Sequence, residues 1–143
     1  MAVKRLDPKA LHKIVSATDE ALDLEKSDLK GYAETMDLSK LVFKEGLHPT
    51  FFLAKNVSAI DYVTLHDKHF IINPPTKEGG KAHVEIKDQG VMFIKYFELA
   101  VKQIEENGVV QDITMDMFPG SVIHEIGSYV MLLAEVGEAR KKS

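Results

Sequence analysis

His124-Glu125 is the pair in this chain that comes nearest to a catalytic motif. An HExxH helix sets two imidazoles on one face to hold zinc, with the glutamate between them as general base. Here Ser128 stands where the second histidine is needed. The pair therefore reads as polar residues on the exposed face of a helix. His66 and His69 are spaced to reach one cation from a helix, with Asp67, His83 or Glu85 to complete the sphere. No second ligand pair reinforces them, and histidines near a helix end commonly meet terminal carbonyls or solvent. Gly120-Ser121 lacks the GxSxG frame and the strand that a serine nucleophile elbow requires. Gly79-Gly80-Lys81 lacks the GxxxxGK[ST] spacing of a phosphate loop. The carboxylates are spread along solvated faces, with no pair placed for acid–base work. No catalytic, cofactor or metal-ligating residue is assigned, and no enzymatic activity is expected.

Composition narrows the class. The chain has 143 residues, 45% hydrophobic and 28% charged, which suits one soluble domain with a real core. A net charge of −4 argues against a general nucleic-acid binder, which carries a basic stripe. Five of the seven phenylalanines, Phe43, Phe51, Phe52, Phe93 and Phe97, lack a basic groove around them, so they read as core, not as base-stacking platforms. There is no cysteine, which removes disulfides and thiolate chemistry and fits a reducing compartment. The start, MAVKRLDPKA, has basic residues without a following apolar segment, so no signal peptide is expected. The longest apolar run, Val130 to Ala134, is far too short to cross a bilayer.

The elements follow from periodicity. Asp7-Pro8 reads as an N-cap and first-turn proline, followed by Leu11, Ile14, Val15, Thr18, Ala21 and Leu22 at helical spacing. Residues 23–36 are dense in charge and read as a linker. From Leu38 to Ala54, two apolar runs flank a turn with Gly46 and Pro49, which predicts a short hairpin. Ser58 with Asp61 predicts the start of a helix ending near Phe70. Asn73 to Lys81 is a loop rich in proline and glycine, and His83–Ile86 reads as a brief strand or a lead-in. From Asp88, Val91, Ile94, Phe97, Val101 and Ile104 mark the strongest internal helix, with Asn107-Gly108 as its C-cap.

The last quarter predicts a long amphipathic helix, with Asp116 as cap and Pro119 in the first turn. Val122, Ile126, Tyr129, Val130, Leu133 and Val136 form its stripe, and Arg140, Lys141 and Lys142 complement the dipole at its end. The expected fold is a mainly helical α+β domain with one small antiparallel β-hairpin. Residues 1–36 hold the N-terminal helix and a linker free to move; residues 37–143 form one globular domain of the hairpin and three helices.

The order of a short hairpin ending in PTFFLAKNVSAIDY and leading into a helix, an amphipathic helix closing on EENGV, and MFPGSVIHEIGSYVMLLAEVGEARKKS at the end resembles the tail assembly chaperones of long-tailed bacteriophages. The likeness runs from about Leu38 to the C-terminus, with Phe118-Pro119 through Lys142 matching the family's closing segment. It implies a chaperone that coats the tape measure protein, self-associates and gives way to the tail tube protein. It also implies host-cytoplasmic placement outside the mature virion, and Lys141-Lys142 is compatible with the frameshift that extends many members. A coat of this kind needs an apolar surface for helices and a surface for its own copies. The residues singled out for partner contact are Val122, Ile126, Tyr129, Val130 and Leu133 on the last helix, with Phe51 and Phe52 of the hairpin. No nucleic acid, membrane or cofactor is expected. The rival readings are a tail completion or connector protein that stays in the virion, and a small metal-dependent enzyme using His66, His69 and His83.

Overall fold

A computed structural model of the chain describes residues 11–73, 80 and 83–142. Side chains at 71–73, 83–84 and 136–142 lie outside what is described. Among the described residues, four helices accompany a four-stranded antiparallel sheet, so the fold is α+β and not a helical domain with one small hairpin. In chain order the elements are β1 (Leu11–Ile14), α1 (Leu29–Thr35), β2 (Thr50–Lys55), α2 (Ala59–His69), β3 (Phe70–Asn73), β4 (His83–Ile86), α3 (Gln89–Ala100), β5 (Val101–Glu106), β6 (Val109–Asp112) and α4 (Gly120–Lys142). The large sheet runs β1-β2-β5-β6, and β3 and β4 form a separate two-stranded ribbon.

Several expectations are corrected. The first helix is instead strand β1, whose Ile14 sits opposite Phe52 of β2, followed by turns over residues 16–22. Its proposed cap, Asp7-Pro8, lies outside the described residues. Within the expected linker, Asp28 accepts from the Gly31 N–H and starts α1, which ends at Met36 in a left-handed conformation. The Leu38–Ala54 hairpin does not form. Leu38–Lys40 is a 3-10 turn, Phe43 bridges back to Leu22, and β2 becomes an inner strand between β1 and β5. Helix α2 starts where expected, with Ser58 Oγ accepting from the Asp61 N–H at 3.2 Å.

The largest difference lies at α3. It begins after Asp88, stops at Ala100, and the chain passes directly into β5. Asn107-Gly108, expected as a helix cap, is the two-residue turn of the β5–β6 hairpin, with φ of 48° and 79°. Positive φ at both positions is what a twist-matched hairpin turn demands. The misleading signal comes from a bulge. Leu53 faces Gln103 but Ala54 faces Val101, so Lys102 is the extra residue. That residue lets Val101 and Ile104, three apart, lie on one face of a strand and imitate helical spacing.

The core follows from this arrangement. Ile14, Phe52, Ala54, Val101 and Ile104 from the sheet meet Met92, Phe93, Tyr96 and Phe97 of α3 and Ile123, Ile126 and Val130 of α4. Each large apolar side chain buried here contributes about 1.5–3 kcal/mol relative to exposure. α3 and α4 approach closely at Gly127, where a Cβ would lie 2.6 Å from the Phe93 carbonyl carbon. A smaller cluster of Val15, Leu22, Tyr32 and Leu41 packs beside it, with Tyr32 meeting Tyr129 edge-on at 5.9 Å.

Candidate binding groove

The chain leaves β1 at Ile14 and turns back on itself through residues 16–21. Two carboxylates hold that turn from opposite sides. Asp19 accepts from the Ala21 N–H at 2.9 Å and from the Thr50 N–H at 2.8 Å, tying the turn to the first residue of β2. Glu125 of α4 accepts from Ser16 Oγ at 2.5 Å, from the Ala17 N–H at 2.9 Å and from the Tyr129 hydroxyl at 3.3 Å. Ser128 Oγ donates to the Glu125 carbonyl, a local back-bond within the helix. Tyr32 Oη accepts from the Val15 N–H at 2.9 Å. Burial pushes the Tyr32 hydroxyl up to about 12, with the Val15 N–H acting against that rise and Glu125 adding to it. Burial likewise raises Tyr129, with Glu125 adding to the shift. Both phenols stay protonated as hydrogen-bonding struts.

These struts frame an open groove of about 350 Å³. One wall is the turn with Ser16, Asp19, Glu20 and Ala21; the other is Leu47, His48 and Thr50; Phe52, Phe118 and Val122 lie between them. Phe52 is held edge-on by Phe118 at 5.0 Å and by Phe97 at 6.1 Å, which fixes an apolar surface at the mouth of the sheet. No protein-family model, curated protein or solved structure matches this chain.

The residues flagged for chemistry are engaged elsewhere. His124 meets the Phe93 ring edge-on at 4.8 Å and points to solvent. Glu125 is not the exposed partner expected of it, because it is half-buried and carries the turn. His66 stacks on Phe70 with ring centroids 3.9 Å apart. His69 is buried, and its Nδ1 donates to the Lys87 carbonyl at 3.0 Å, a role that assigns the proton to that nitrogen. Asp67 and Glu85 are exposed, and the side chain of His83 lies outside the described residues. Among the described residues no three metal-ligating side chains converge. The Gly79-Gly80-Lys81 loop lies outside them except for Gly80.

The residues singled out for partner contact divide. Ile126 and Val130 are buried in the main core and offer no surface, and Phe52 is buried there too, the little of it that is exposed lining the groove. Val122, Tyr129, Leu133 and Phe51 are partly buried, and of these only Val122 lines the groove. Phe51 points to the opposite face of the sheet, under the Lys13 ammonium at 5.1 Å, and Lys13 also pairs with Glu105 at 2.7 Å. Asp19, Glu20, Leu47, His48 and Phe118 escaped the sequence reading. Reading residues 8–22 as a helix hid the turn, although an Asp that bonds the N–H two residues on is a turn signal.

A second polar group lies between α2, α3 and α4. The Tyr96 hydroxyl is buried without a hydrogen-bond partner among the described residues, and burial, with Tyr62 and Glu135 adding to it, raises its pKa. Burial also raises the Glu135 carboxyl, against the lowering influence of His66.

Proposed function

We propose that this chain works by binding other proteins, as a tail assembly chaperone that keeps the tape measure protein soluble in the host cytoplasm until the tail tube protein polymerises. The observation that carries this reading is the apolar surface on the outer faces of α2 and α3. Ile60 is 79% exposed, and Val63, Val91, Ile94 and Leu99 are also exposed. Single exposed aliphatics are ordinary, but repeats at helical spacing on two helices suit a partner's apolar stripe. The side chains that hydrolytic chemistry would need are engaged in structure: Glu125 in the turn, His69 on a backbone carbonyl and His66 on a ring. The sequence likeness of Phe118-Pro119 through Lys142 points the same way. That likeness is one of layout, and the hairpin and the end of the helix closing on EENGV that belonged to it are replaced by strands of the sheet, so the closing helix is the part of it that stands.

Co-expression with the tape measure protein tests the proposal. A soluble complex is the expected result, and a tape measure protein that stays insoluble beside this chain refutes it. Mass spectrometry of purified virions separates the chaperone from a completion or connector protein. Stoichiometric amounts in the particle would favour the latter.

A further inference from the structure

We infer that the groove between the 16–21 turn and the start of α4 docks a segment of a partner protein carrying a basic side chain beside an apolar one. This rests on the reading that the chain acts by binding proteins, and it names the chemistry that one of its surfaces recognises.

The groove is shaped and lined for an apolar side chain. Phe52, Phe118, Val122 and Leu47 offer the groove an apolar lining, and Leu47 is half-exposed with no place in either core. A volume of about 350 Å³ has room for one or two side chains. The groove's rim also carries unbalanced negative charge. Asp19 and Glu20 line the groove and Glu125 supports its wall, yet none of the three forms an ion pair among the described residues. Lys44, whose N–H bonds the Ala21 carbonyl, is the lysine tied to this rim, and it pairs with none of them. The partial positive charge at the start of α4 offsets about half a unit of this negative charge. A lysine or arginine suits the result, because its aliphatic stem covers apolar surface while its head meets carboxylates.

The groove is also preorganised. Asp19 and Glu125 direct their oxygens at backbone N–H groups and a serine hydroxyl, so the walls are set before any partner arrives. Rigid walls lower the ordering cost of association. The same engagement of Asp19 argues against a metal site, and the charge argues against nucleic acid or a phosphorylated ligand.

The test uses the full chain and two labelled amphipathic peptides with the same leucine pattern, one with lysine and arginine flanking the leucines, the other with glutamate. Fluorescence anisotropy is expected to show the basic peptide binding about 10-fold or more tighter. Glu20→Lys should weaken the basic peptide by about 10-fold, while Leu47→Asp weakens both. Circular dichroism of each variant confirms that it is folded. Equal binding of the two peptides, no binding of either, or binding of the basic peptide insensitive to folded Glu20→Lys overturns the inference. Co-expression separates this from the chaperone reading. If the wild-type chain solubilises the tape measure protein and Glu20→Lys does so equally, the groove inference falls and the chaperone reading stands. If the wild-type chain fails but the peptide discrimination holds, the reverse follows.

Discussion

The core between the sheet and helices α3 and α4 is closed by rings and aliphatic side chains, whereas the cluster of Val15, Leu22, Tyr32 and Leu41 is closed by hydrogen bonds as much as by apolar contact. In the first, Phe93, Phe97, Ile126 and Val130 fit around a helix crossing tight enough to exclude any side chain at Gly127. In the second, four buried residues are too few to hold a turn-rich segment against chain entropy. Tyr32, Asp19 and Glu125 therefore bond the backbone of residues 15–21 directly to α1, β2 and α4. A large core tolerates a lost polar contact and not a lost gap; a small one behaves the other way round.

That contrast can be broken most forcefully at Gly127. Gly127→Val drives a branched side chain into the Phe93 backbone and should cost about 3 kcal/mol or more, read as a lowered urea midpoint of the whole molecule. Glu125→Ala orphans the Ala17 N–H and leaves the Ser16 hydroxyl only its contact with Thr18, with an expected loss of about 2–3 kcal/mol. Its signature is faster amide exchange over residues 15–19 with α3 still protected, and uniform loss of protection would show that the two clusters are one cooperative unit. Tyr32→Phe removes the acceptor for the Val15 N–H and should cost about 1–2 kcal/mol, again seen first in the small cluster. Gly108→Ala places a Cβ at φ of 79° and should cost about 1 kcal/mol, with no change in exchange at either core.

The smallest effect is expected at Glu135. Its folded pKa is raised by burial, so the folded state holds the proton more tightly than the unfolded chain. The sign is then that its contribution is fully present below the ordinary glutamate pKa and is lost as pH rises through the raised value. Glu135→Gln should flatten the decline in stability above about pH 4.5, measured by thermal unfolding across that window.

Much of this molecule was legible one element at a time. Ser58 with Asp61 marked the start of α2, and Ile126 and Val130 marked the buried stripe of α4. Phe52, Phe93 and Phe97 belonged inside on size alone. Two stretches deceived for a physical reason. Residues 11–15 satisfy helical spacing, but Ile14 and Val15 are β-branched, and pairing with β2 outweighs a weak local preference. Val101 and Ile104 satisfy it as well, because one bulged residue makes a strand's inward positions three apart.

Spacing and residue type alone determined that no HExxH site exists at His124, that no cysteine chemistry is available, that α2 is a short helix and that α4 is an amphipathic one. Only the tertiary structure decided that Glu125 is a strut, that Asn107-Gly108 turns a hairpin, and that Asp19, Leu47 and Phe118 meet in one groove. The reason is range. Periodicity reports which side of a local element is apolar, whereas a hydrogen bond from residue 17 to residue 125, or a groove drawn from three separate segments, exists only once the chain has closed over distances that no local pattern encodes.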